Sequence, residues 1–202
     1  VSPSLIVIHY TAISCDAARA RLCDPAAEVS AHYLISQTGR IEALVDENQR
    51  AWHAGAGQWA GLEDINSHSI GIELANDGSQ PFSEPQMAAL ETLLRAIMAR
   101  WSIAPHRVIG HSDMAPSRKS DPGPHFDWHR LALQGLSVWP DPATDEAPLA
   151  QNLTALGYPD ATAETRLTAF RLRFRPWAKG PEDSTDRRLA ANLAKRFPGS
   201  AR

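Results

Sequence analysis

Three polar side chains stand where apolar stretches of the chain run out. His9 closes the run LIVIHY, His111 follows RVIG, and Asp121 lies ten residues later in the loop RKSDPG. Two imidazoles and a carboxylate form a common zinc ligand set, and three protein ligands leave a fourth position for water. That openness belongs to catalytic rather than structural sites. An ion there would lower the pKa of its water to about 7 and polarise a carbonyl oxygen. Each residue also has an ordinary explanation. A histidine at a strand end is often just a satisfied or solvent-facing imidazole, and Asp before Pro-Gly is turn chemistry. No short His-x-x-x-His spacing ties the pair together, so residue types and spacing alone leave both explanations open.

The elements that must position these residues can be read from hydrophobic periodicity. Leu5–Tyr10 is β-branched, uninterrupted and free of turn residues, which predicts a buried strand. His32–Ser36 and Arg40–Val45 flank the turn pair Thr38-Gly39 and predict a hairpin. Ser69–Leu74 alternates, with Ile70, Ile72 and Leu74 on one face and Gly71 and Glu73 on the other. Ser83 and Gln86 suit a capping box. From there Met87, Leu90, Leu94, Ile97, Met98 and Trp101 recur at helical spacing. Pro105 breaks that helix before a short strand, Arg107–Gly110, delivers His111. Strands interleaved with helices predict an α/β layer domain whose sheet is covered by at least one long helix.

This first domain is expected over residues 1–139, and the Pro-, Asp- and Ala-rich stretch 140–148 reads as a linker. Residues 149–202 predict three short helices: Leu153 and Leu156 before a Gly157 cap, then Leu167, Phe170 and Phe174, then Leu189, Leu193 and Phe197. Such a module is too small for a large core of its own and is expected to dock on the first domain.

Composition narrows the classes. The 202 residues carry a net charge of −3, which argues against non-specific nucleic-acid binding. Hydrophobic content of 43% and charged content of 21% are ordinary for a globular protein. No apolar run approaches the ~18 residues of a membrane span. A chain starting at Val1 is read as a trimmed form whose targeting segment is out of view. Cys15 and Cys23 are compatible with a disulfide or with two free thiols.

The wording around the three residues narrows the choice further. VIHYTA, VSAHYLISQTGRIEALV, AWHAG, NSHSIGIEL and VIGHSDMAPSRKSDPGPHFDW follow one another in order across residues 5–130. In that order and spacing they resemble the type-2 N-acetylmuramoyl-L-alanine amidases. The resemblance implies a central mixed β-sheet flanked by helices, with one zinc per chain held by His9, His111 and Asp121. It also implies Glu73 as general base and proton shuttle and Lys119 as the cation facing the oxyanion. Without it, Glu73 is a strand carboxylate and Lys119 a solvated loop charge. Trp52, His53, Asn66 and Arg118 fall at positions that could meet sugar or peptide, although Trp52 could equally pack as an aromatic and Arg118 could be solvated; His32 could line the cleft or hold a hydrogen bond behind it. Some relatives carry Tyr immediately before the histidine of SAHY, where this chain has Ala31.

LTALGY, the arginine-rich second helix with Phe170 and Phe174, and the late DSTDRRL segment resemble the three-helix peptidoglycan-binding-like domain of some of these amidases. The implied partner is peptidoglycan or a muropeptide rather than nucleic acid, and the implied enzyme is a monomer. It would be periplasmic, anchored to the outer membrane through a segment outside this chain, with a cytoplasmic placement as the alternative. Peptidoglycan recognition proteins, some of which have lost a zinc ligand and only bind, are the competing class; here all three ligands and Glu73 are intact.

Overall fold

The computed structural model describes residues 2–142 and 144–199. Five strands, β1 (Leu5–Tyr10), β2 (Tyr33–Ile35), β3 (Ile41–Ala43), β4 (Ser69–Leu74) and β5 (Val108–Gly110), form one sheet in the order β3-β2-β4-β1-β5. Only the β2–β3 hairpin is antiparallel, so the sheet is mixed. The helices are α1 (Cys15–Leu22), α2 (Ile65–His68), α3 (Glu84–Trp101), α4 (His111–Met114), α5 (Trp128–Leu133), α6 (Leu149–Leu156), α7 (Ala163–Phe174) and α8 (Ser184–Arg196).

Alternation along β1 and β4 gives the sheet two different faces. Ile6, Ile8, Ile70, Ile72 and Leu74 point to one side and pack on Met87, Leu90, Leu94 and Ile97 of α3. Full burial of each such side chain contributes about 1.5–3 kcal/mol. On the other side Leu5, Val7 and Ile109 meet Met114 and the C-terminal residues Leu153, Phe170, Phe174 and Leu193. The C-terminal helices therefore do not stand apart: their apolar faces complete the cluster on that side of the sheet. Farther along the same face β1 presents His9, paired in register with Glu73 of β4.

Several elements depart from expectation for local reasons. Ser83 caps α3 by accepting from Gln86 N–H, but the reciprocal half of the capping box is missing. The Gln86 side chain is fully buried and donates instead to Ile35 O (2.9 Å) and Ala75 O (3.2 Å), tying the helix to two strand ends. The strand expected from Arg107 starts at Val108, because Pro105–Arg107 form a single 3-10 turn. The hairpin strands are shorter than His32–Ser36 and Arg40–Val45, and Gly39 turns between them at φ +84°. Cys15 and Cys23 are free thiols. Among the described residues no helix is long and apolar enough to cross a membrane.

Candidate metal and catalytic centre

His9 comes from the end of β1, His111 opens α4, and Asp121 follows on the loop whose carbonyl accepts from Ser112 N–H (2.9 Å). The three are at most 8% exposed. Nδ1 of His9, Nδ1 of His111 and Oδ2 of Asp121 form a nearly equilateral triangle with sides of 2.9, 3.0 and 3.1 Å. Zinc bonds of ~2.0–2.1 Å put the ligand atoms of a tetrahedron roughly 3.3 Å apart, close to this size.

Hydrogen bonding fixes which ring nitrogens carry protons. The Ser69 hydroxyl donates to Ile65 O (2.6 Å), so its oxygen accepts from His53 Nε2–H (3.2 Å). His53 Nδ1 is then an acceptor, and His9 Nε2–H donates to it (3.0 Å). Nδ1 of His9 is left as a bare lone pair. His111 Nε2–H donates to Ala54 O (2.9 Å), which leaves its Nδ1 bare as well. Burial works to raise the Asp121 carboxyl, but bonds to His111 and His9 and their charges outweigh it and hold the group well below the ordinary range. His9 is pushed down to about 4, first by burial and then by the charge of His111. With both imidazoles neutral, three acceptors therefore converge with no proton between them, an arrangement that a divalent cation would satisfy. These residues fit zinc.

Beside them stands Glu73, whose Oε2 is buried and lacks a hydrogen-bond partner among the described residues. Burial, followed by the Asp121 charge, pushes its carboxyl up to about 8, against the opposing pull of Lys119. Glu73 and Lys119 line a cleft of about 380 Å³ together with the three converging residues, and half-exposed Trp52 lies at its edge.

The other residues singled out in the sequence serve different purposes. Asn66 is buried away from the cleft, and its Oδ1 accepts from His53 N–H (3.0 Å) and Ala54 N–H (2.8 Å), shaping the AWHAG loop. His32 is fully buried and bridges Gly71 N–H of β4 (3.0 Å) to Gln49 O in the loop after β3 (3.1 Å) as a strut. Neither is free to meet substrate. Arg118 lines the cleft, yet its guanidinium is tied to the carbonyls of Ala54 and Ala56 instead of standing free for a carboxylate. His53 also lines the cleft while holding His9, and it lies against Gly71, where a Cβ would fall 2.3 Å from its ring. Glycine is required at that crossing.

Sequence reading missed α1, whose Ala18, Arg21 and Leu22 wall the cleft. Its signal was present: Ser14 caps by accepting from Ala17 N–H, Asp16 sits in the first turn, and Arg19 and Arg21 sit in the last.

Known proteins match this arrangement in sequence and shape. The sequence profile of the N-acetylmuramoyl-L-alanine amidase family matches residues 1–124. N-acetylmuramoyl-L-alanine amidase AmiD of Escherichia coli is 38% identical over 96% of this chain and 83% of its own length. Its structure in complex with the substrate anhydro-N-acetylmuramic acid-L-Ala-D-γ-Glu-L-Lys superposes with a TM-score of 0.90, covering 98% of this chain and 91% of that one. AmpDh3 of Pseudomonas aeruginosa, in complex with anhydromuramic pentapeptide, matches at 32% identity and a TM-score of 0.90 over 98% of this chain and 93% of its own. The chain belongs to the N-acetylmuramoyl-L-alanine amidase family, hydrolases of the amide bond between N-acetylmuramic acid and L-alanine.

Proposed function

We propose that His9, His111 and Asp121 hold one zinc ion, and that Glu73 and Lys119 carry the proton and the charge during hydrolysis of a muropeptide amide in the cleft. The observation that carries this is the triangle of three bare acceptors 2.9–3.1 Å apart beside Glu73, whose buried Oε2 has no partner among the described residues. When bound, zinc supplies a Lewis acid for the carbonyl and makes water acidic enough to attack near neutral pH. Glu73, on the His9 face of the sheet, takes the proton of the attacking water and hands it to the leaving amine. A carboxyl raised toward neutrality is suited to both halves of that transfer. The Lys119 ammonium offsets negative charge on the carbonyl oxygen as the carbon becomes tetrahedral. Trp52, 49% exposed, offers a flat apolar face to a sugar ring or stem peptide.

Muropeptides as the substrate class are supported by AmiD and AmpDh3, both captured with anhydromuramoyl peptides. The proposed enzyme is a monomer of the periplasm, anchored to the outer membrane through a segment outside this chain, with the cytoplasm as the alternative. The test is Glu73→Gln, measured for zinc content and for release of free stem peptide. Zinc should remain stoichiometric while kcat falls by ~10²–10⁴. Near-parental kcat in that variant would remove Glu73 from the mechanism. Muropeptide binding without peptide release by the parent would favour a receptor.

A further inference from the structure

The corner between β5 and α4, which presents His111, is gripped from the C-terminal helices. Asp113, two residues beyond His111, is fully buried. Its Oδ2 accepts from Gly110 N–H (2.8 Å) and from Arg173 Nη1 (2.8 Å), and its Oδ1 accepts from the Tyr158 hydroxyl (2.7 Å). Arg173 lies on α7 and is 3% exposed. Its Nη2 donates to Val108 O on β5 (2.8 Å) and to Ser137 Oγ (3.3 Å), and its guanidinium lies 4.4 Å over the Trp128 ring. One planar guanidinium therefore bonds the chain on both sides of His111, at Val108 before it and at Asp113 after it. The same corner holds Asp121 through the Ser112 N–H bond to its carbonyl.

We propose that Arg173 is a positioning residue for the metal centre: from the C-terminal helices it clamps the β5–α4 corner so that His111 and Asp121 keep their ligand geometry. This assigns the C-terminal helices a part in the metal site itself, in addition to any contact with polymer. It rests on the assignment of His111 and Asp121 as ligands. The physical reason for arginine is its fork. A lysine keeps the positive charge opposite Asp113, but one ammonium cannot replace the rigid two-armed bridge to Asp113 and Val108. Groups that orient metal ligands from behind typically change metal affinity by ~10–100-fold when altered.

The test uses the full chain with Arg173→Lys, Tyr158→Phe and His111→Ala. Zinc dissociation constants are measured by chelator competition, the absorption bands with cobalt(II), and kcat and KM on a soluble muropeptide. Arg173→Lys should weaken zinc by ~10-fold, shift the cobalt bands and lower kcat at limiting zinc with KM unchanged. Tyr158→Phe removes one bond to Asp113 and no charge, and should weaken zinc by roughly threefold. A folded Arg173→Lys variant with parental zinc affinity and an unshifted cobalt spectrum overturns the clamp. Should Arg173→Lys fail to fold, Tyr158→Phe decides, and parental zinc affinity there overturns it. His111→Ala separates the two assignments. If that variant keeps zinc, the ligand assignment itself fails; if it loses zinc while Arg173→Lys is silent, only the clamp fails.

Discussion

Two buried polar clusters meet on α4, with their members two residues apart, and they are built on opposite principles. Around Asp113 the carboxylate is fully answered: a guanidinium, a phenol and a backbone N–H all donate to it, although Nε of that guanidinium is itself buried without a partner. Around His111 three acceptors face one another with no donor between them. Buried polar groups in folded proteins are normally satisfied, so the first cluster reads as structure and the second as a site that needs a ligand. Whether the buried acceptors meet donors, more than burial or charge, tells them apart.

The largest expected effect comes from breaking the Asp113 cluster. Arg173→Met leaves the Asp113 carboxylate buried without its counter-charge, and should cost about 3–5 kcal/mol in urea unfolding. Asp121→Asn in chelator-treated protein at pH 8 removes a carboxylate that meets neutral imidazoles and no bonded cation, with Arg118 and Lys119 only lining the same cleft. That change should cost about 1 kcal/mol or less. Equal losses in the two variants would erase the distinction between the clusters.

Glu73 sharpens the comparison through pH. Its carboxyl lies at about 8 in the folded protein against 4.5 ordinarily, owing first to burial. Between those values the folded state keeps a proton that the unfolded chain has released, so stability falls as pH rises through the window. Glu73→Gln cannot ionise and escapes that fall. Metal-free Glu73→Gln should match the parent near pH 4 and exceed it by a few kcal/mol above pH 8, read as urea midpoints at each pH. A constant offset across the range would mean that the carboxyl is not desolvated. Function is here bought with stability, as expected of a base partly withdrawn from water at the floor of a cleft.

Much of this was legible in the sequence where one residue type has one local meaning. LIVIHY gives a strand with His9 at its end, SIGIEL puts Glu73 opposite its aliphatics, and Ser83 starts the long helix. Side chains whose partners lie far along the chain were not legible. Asn66 shares the polar character of a substrate contact, and for His32 a supporting hydrogen bond and a place in the cleft were both open, but each is bonded to backbone groups 12–39 residues away. Gln86 looked like a capping residue because its partner at Ser83 is local, whereas its competing partners, Ile35 O and Ala75 O, come from other strands. Arg173 was one arginine among several in a helix. Only the folded chain brings it 2.8 Å from an aspartate 60 residues earlier.

His53 joins the two kinds of cluster, since it ends a satisfied chain of donors at an unsatisfied site. Ile65 O, the Ser69 hydroxyl and His53 fix the proton on His9 Nε2, and that leaves Nδ1 free to ligate. His53→Ala removes the acceptor for that proton, so His9 can turn or change tautomer. Zinc affinity should fall by ~10–100-fold, or roughly 1.4–2.7 kcal/mol. His53→Asn offers a carbonyl oxygen to the same proton and should recover part of the loss. Gly71→Ala tests the same link from the sheet side, because its Cβ would fall 2.3–2.6 Å from three atoms of the His53 ring and displace it. Chelator titration of the three variants should rank them with His53→Asn nearest the parent. If Gly71→Ala binds zinc as the parent does, the ring can move without disturbing His9, and the donor chain has no hold on the metal ligand.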